Sequence, residues 1–124
     1  MGKGKSKRKV KRKIEAKQRR EIRLKMGKPI FFNLTNCPKP LSGFSDRYNY
    51  KSNIHKAIYK KGKFHNVRWQ ASVLTYCNFN QTQLIGVDFF NSNLKKTSFK
   101  NAVLENVIFF NCNLKDTNFE NAQF

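Results

Sequence analysis

Large apolar residues recur at every fifth position in the second half of the chain. A small or β-branched residue precedes most of them by two positions, and polar residues fill the rest of the repeat. A period of five matches neither an α-helix nor a β-strand, so the chain is predicted to turn a corner every five residues. The series comprises Ile54, Tyr59, Phe64, Trp69, Leu74, Phe79, Leu84, Phe89, Leu94, Phe99, Leu104, Phe109, Leu114, Phe119 and Phe124.

Four five-residue units make a coil of twenty residues, and the sequence supports that coil length. Residues 86–104 aligned with residues 106–124 share eleven identities in nineteen positions. Sorting the series by twenty also aligns like residues, as in Ile54, Leu74, Leu94 and Leu114. Coils that pair as hydrogen-bonded strands lie about 4.8 Å apart. The repeats therefore predict an all-β solenoid with an apolar interior.

Individual units also resemble a known family. NAVLE, TSFKN, CNLKD and TNFEN carry the A(D/N)LXX motif of pentapeptide-repeat proteins, and the resemblance covers roughly residues 52–124. It implies a right-handed quadrilateral β-helix, here with about three to four coils, and a bacterial origin. Residues 1–51 resemble no family.

The preceding residues divide into two segments. Residues 1–28 are a basic tail, with a short helix predicted over about residues 14–26 and favoured by the pairs Glu15–Arg19 and Glu21–Lys25. The apolar residues of that helix form no broad stripe, so we expect the helix to order on a partner. Residues 29–51 hold all three prolines and several aromatic residues. This composition predicts an irregular segment that caps the first coil.

Charge favours an anionic partner. The formal net charge is +19, and residues 1–28 contribute fourteen Lys and Arg against two Glu. Such a tail is typical of contact with nucleic-acid phosphates. The candidate nucleic-acid-binding residues are Lys7, Arg8, Lys9, Lys11, Arg12, Lys13, Lys17, Arg19, Arg20 and Arg23. A secondary basic face is predicted from Lys60, Lys61, Lys63, Arg68, Lys95, Lys96, Lys100 and Lys115, with an ordinary solvated surface as the alternative.

Catalytic and metal-binding patterns are missing from the sequence. His55 and His65 have no cysteine at ligand spacing, and no nucleophile with a base or phosphate-binding glycine loop is recognisable. We therefore expect no enzyme activity, metal or cofactor. The three scattered cysteines indicate reduced thiols, and there is no membrane-spanning run or signal peptide. A cytoplasmic location is expected.

Three apolar residues are predicted to face outward. Phe90 and Phe110 occupy equivalent positions on successive coils, with Ile108 beside them. Exposed aromatic ladders are unusual. The three residues form either a protein interface or a surface covered by residues 29–50.

Two functions remain in competition, and a third is weaker. The first is a non-enzymatic binder of RNA, the ribosome or DNA through the basic arm. The family resemblance implies the alternative, a protein-interaction module such as a DNA gyrase or topoisomerase-binding protein, although family members of that kind present acidic faces. The third is a structural or protein-interaction module, for which a membrane surface is one candidate location. Because Phe124 belongs to the inward series, an end-to-end homodimer through the C-terminal coil is also an expectation.

Overall fold

A computed structural model describes residues 3–31, 33–34 and 41–124, and the side chains of residues 3–9 and 11 lie outside that description. The chain order is one helix followed by five strands. The elements are α1 (Lys3–Met26), β1 (Ser45–Tyr50), β2 (Lys63–Gln70), β3 (Gln83–Phe90), β4 (Val103–Glu105) and β5 (Ile108–Phe110).

The strands pair in parallel with an offset of twenty residues. Ser45 pairs with His65, and His65 in turn pairs with Ile85. β3 then pairs with both β4 and β5 at the same offset. Single bridges continue the offset around the other sides, as between Asn53 and Val73. This parallel pairing confirms the predicted all-β solenoid with coils of twenty residues.

Left-handed backbone conformations explain the period of five. From Asp46 to Asn121 every fifth residue has φ between 51° and 64°, including Gly86 at 64°. Non-glycine residues rarely adopt this region, and Asn and Asp tolerate it best. Many of these corners accordingly carry Asn or Asp, and each one turns the chain into the next side of the coil.

The large-residue series fills the interior as predicted. Every member from Ile54 to Leu104 is at most 3% exposed. Tyr59, Phe79 and Phe99 stack in sequence with ring centroids 5.5 and 5.2 Å apart. On the last coil burial falls, and Phe124 is 83% exposed.

The N-terminal segments are more regular than the sequence predicts. α1 begins at Lys3 rather than near residue 14, because Lys and Arg are good helix formers even in a repulsive basic run. Within residues 29–51, β1 pairs with β2 and Ile30 pairs with Asn49, so the prediction of an irregular segment is wrong for these parts. Asn49 stands twenty residues before Trp69 and is fully buried. Because Asn49 is polar, the coil that contains β1 does not continue the series of large apolar residues in the sequence.

Candidate functional site

Helix α1 lies across one side of the solenoid, at the C-terminal ends of β1, β2 and β3. Gln70 Nε2 donates to the backbone carbonyl of Glu15 at 3.3 Å. Asn91 Nδ2 donates to Gln18 Oε1 at 3.1 Å. Positions 15, 18, 19 and 22 share one helical face, because residues three and four apart are neighbours on a helix. We call this face the docked stripe.

The C-terminal end of the docked stripe is apolar. Ile22 is 7% exposed and shares a small cavity of about 120 Å³ with Arg68, Asp88 and Phe90. Phe90 is half-buried at this contact. The segment that covers Phe90 is therefore α1, and the predicted cover by residues 29–50 is wrong at this position. Ile108 and Phe110, one coil further on, remain 51% and 48% exposed.

A buried polar connection ties the helix to the coil interior. The Tyr48 hydroxyl donates to Gln70 Oε1, and the Gln70 amide in turn reaches the helix backbone. Burial raises the pKa of Tyr48 to about 12, so the hydroxyl stays protonated and can donate. Both side chains are about 1% exposed. Buried polar groups of this kind hold a unique geometry because losing one partner leaves the other unpaired.

These contacts were missed because most of them are polar. Ile22 is the buried apolar residue among the described side chains of α1, and a single such residue makes no apolar stripe in the sequence. The sequence therefore predicts a helix that orders on a partner. The sequence does contain one signal. Tyr50, Gln70, Phe90 and Phe110 follow one another at intervals of twenty, and such a column of large outward residues indicates a covered side.

Arg68 is engaged within the molecule. Arg68 Nε lies 2.8 Å from Asp88 Oδ2, and the guanidinium also donates to the carbonyl of Gly86 at 2.8 Å. Burial raises the pKa of Asp88, and this effect exceeds the opposing attraction of Arg68 and Lys25. Arg68 therefore contributes to the α1 interface rather than to a free basic face.

The other basic residues of the solenoid do not share one side. Lys95 and Lys115 stand in one column, whereas Lys60 and Lys100 stand in a column at the next corner. Lys61 and Lys63 follow that second column along the coil. Lys100 lies 3.9 Å from Glu120, and Lys96 lies 5.5 Å from the Tyr76 ring. The candidate residues outside α1 thus form separate small groups.

The outward side of α1 is a continuous basic strip. Its exposed side chains include Arg12, Lys13, Lys17, Arg20 and Arg23. Lys13, Lys17 and Arg20 lie opposite the docked stripe, whereas Arg12 and Arg23 lie beside it. Glu21, which was expected to pair with Lys25, lies 4.0 Å from Lys17 instead. Lys7, Arg8, Lys9 and Lys11 belong to the same helix, and their side chains lie outside the described ones.

The Arg19 side chain points toward β1 rather than to solvent. Its guanidinium donates to the Tyr50 hydroxyl at 3.2 Å and lies 5.4 Å from the centre of that ring. Arg19 therefore does not form the predicted pair with Glu15. It lies at the edge of the basic strip, where the helix meets β1.

The titratable groups of the coils have structural partners. His55 Nδ1 lies 2.6 Å from Thr75 Oγ1, and His65 is exposed. The Cys77 thiol donates to the carbonyl of Ile54, and burial raises its pKa to about 12. Burial also raises the pKa of Cys112, while Cys37 lies outside the described residues. Within the described part of the chain, no group of three His, Cys, Asp or Glu residues is placed to hold a metal ion.

Among the described residues, no helix is both long enough and apolar enough to cross a membrane, and α1 is rich in Lys and Arg.

One known family matches the repeats of the last coils. The family model described as pentapeptide repeats matches residues 88–124 in eight copies. No curated protein sequence matches the chain. Among solved structures, a pentapeptide repeat protein (Rfr23) from the cyanobacterium Cyanothece 51142 is similar at 18% identity and a TM-score of 0.40. That similarity covers 71% of this chain and 63% of the other, so this chain spans less than two thirds of that protein's length. The family match thus identifies residues 88–124 as pentapeptide repeats, and the parallel coils before them follow the same offset of twenty residues.

Proposed function

We propose that the protein is a non-enzymatic, cytoplasmic nucleic-acid-binding protein in which the solenoid presents α1 to the phosphates of RNA or DNA. The observation that carries this proposal is the basic strip on the outward side of the docked helix. Arg12, Lys13, Lys17, Arg20 and Arg23 all face solvent there. Docking through the opposite side keeps these cations together on a rigid support.

The charge distribution supports a phosphate backbone as the partner. Residues 1–28 carry a net charge of +12, from fourteen Lys and Arg against Glu15 and Glu21. Val10 and Ile14 are 57% and 49% exposed, so the first half of the helix extends past the described contacts with the coils. A helix of 24 residues is about 36 Å long. Its outward face is long enough to follow several successive phosphates.

The test removes cations from the strip without touching the docked stripe. We expect Lys13→Gln, Lys17→Gln and Arg20→Gln together to weaken binding of labelled RNA and DNA oligonucleotides at low salt. With fewer phosphate contacts, the slope of log affinity against log salt decreases by about 2 to 3 units. Fluorescence anisotropy over a salt series measures both quantities.

The matched control is the triple change of Lys60, Lys61 and Lys63 to Gln. These three residues are also exposed, and their replacement removes the same charge from a different part of the molecule. Equal weakening by both triple variants indicates attraction by net charge alone and refutes a binding strip on α1. No binding of either nucleic acid by the wild type refutes the proposal outright.

A second candidate is protein binding through Ile108 and Phe110. Both side chains are about half exposed and lie next to the helix-covered side, as expected for an apolar contact surface. Binding in the manner of a duplex-mimicking gyrase partner is less well supported. Residues 29–124 hold twelve Lys and Arg against five Asp and Glu, whereas a mimic of DNA needs an acidic surface.

A further inference from the structure

A recess of about 340 Å³ lies between α1, Pro29 and the end of β1. Its walls include the side chains of Arg19, Arg20, Arg23, Phe31 and Tyr50, and none of the described residues that line it is acidic. Its volume is at the lower end of the range for small-molecule sites. The combination of two aromatic rings and three guanidinium groups distinguishes this recess from the rest of the described surface.

The aromatic wall is held in place by the fold. Ile30 donates its N–H to the carbonyl of Tyr48 at 2.7 Å and accepts from the N–H of Tyr50 at 3.0 Å. These bonds fix the backbone just before Phe31. The Phe31 ring centre lies 5.9 Å from that of Tyr50 at an angle of 63°, yet the side chain is 69% exposed. Phe31 therefore presents apolar ring surface to solvent from a fixed backbone.

The second ring is held by cations. Arg19 donates to the Tyr50 hydroxyl, and Lys51 Nζ lies 5.4 Å from the centre of the same ring. Arg20 and Arg23 are exposed, and among the described side chains neither forms an ion pair. A guanidinium without an internal carboxylate partner is suited to bind a phosphate through two parallel hydrogen bonds.

From this arrangement we propose that the recess binds one unpaired nucleotide, whose base stacks on Phe31 and whose phosphate contacts Arg20 and Arg23. Bases accept aromatic side chains as stacking partners regardless of sequence. A base inside a duplex must first leave its stack, which opposes entry into a recess. The inference rests on the proposed function and deepens it, because it makes single-stranded or bulged nucleic acid the preferred substrate class. It predicts no base specificity.

The test compares the full-length wild type with Phe31→Ala on a single strand and on a duplex of the same sequence. We expect Phe31→Ala to weaken single-strand binding by about 5- to 150-fold, the range for loss of one stacked base, and duplex binding by no more than about twofold. A strand containing 2-aminopurine reports the stack directly, because its fluorescence falls when the base stacks. Phe31→Tyr keeps a flat ring and should retain both affinity and quenching.

The source of the nucleotide is decided by competition with adenosine monophosphate. If adenosine monophosphate displaces the strand only at a concentration far above that of the strand, the strand is the ligand. If it displaces the strand at an equal concentration, the ligand is a free nucleotide. The recess binds a nucleotide in both cases. If Phe31→Ala binds the strand as tightly as the wild type and quenches 2-aminopurine equally, the inference is refuted. A protein partner on this surface would not rescue it.

Failure of this inference is distinguishable from failure of the proposed function. If Phe31→Ala has no effect while the triple change at Lys13, Lys17 and Arg20 still weakens binding, the basic strip remains supported and only the recess is refuted. If neither variant weakens binding, both are refuted. Because Phe31 is largely exposed, its replacement should leave folding intact, and an unchanged thermal midpoint checks this.

Discussion

Replacing Ile22 by Ala should release α1 from the solenoid while leaving the coils folded. Ile22 is 7% exposed and is the buried apolar residue of the docked stripe. The change removes roughly three methylene equivalents at about 0.8 kcal/mol each, or roughly 2 kcal/mol of docking free energy. Since 1.4 kcal/mol corresponds to a factor of ten, the undocked population should rise about 30-fold.

Hydrogen exchange measured peptide by peptide is the appropriate assay. An undocked α1 with its dense positive charge is a marginal helix, so its amides should exchange about 30-fold faster in Ile22→Ala. Amides of β2 and β3 should keep their wild-type protection, because Ile22 contributes nothing to the coil interior. Leu24→Ala is the matched control, since Leu24 is 88% exposed on the opposite side of the same helix.

Two results would contradict a docking role for Ile22. Unchanged exchange of α1 in Ile22→Ala means that the side chain does not hold the helix. Equal acceleration in α1 and in the strands means that the helix and the coils unfold as one unit.

Three further predictions concern the coils. Ala71 has φ of 51°, so Ala71→Gly should raise the free energy of unfolding in urea by up to about 1 kcal/mol, whereas Ala57→Gly in the buried interior should lower it. Because the fold raises the pKa of Asp88 above 3.8, ionisation of Asp88 opposes folding. The stability of the wild type relative to Asp88→Asn should therefore fall as the pH rises from below 3.8 through the raised pKa; an increase would show that attraction by Arg68 dominates. Cys77, with its pKa near 12, should alkylate more slowly than half-buried Cys112 in the native protein, and equal rates by mass spectrometry would contradict this.

The solenoid and its interior follow directly from the repeats in the sequence. A repeated coil places each large residue in the same environment many times, so the environment is encoded as a period that short stretches of sequence reveal. The columns sorted by twenty correspond to the observed stacks, such as Phe79 on Phe99. The charge of the N-terminal tail was equally evident, because net charge needs no knowledge of geometry.

The position of α1 and the contacts it makes became visible in the folded chain and not in the sequence. Gln70 reaches Glu15 across 55 positions, and Asn91 reaches Gln18 across 73. Each of these contacts occurs once, between polar side chains, so it leaves no period and no apolar stripe in the sequence. The recess at Phe31 arises in the same way, since it exists only when α1 docks beside β1. Periodic contacts can be predicted from sequence because they repeat, whereas a single docking contact depends on distant residues that only the folded chain brings together.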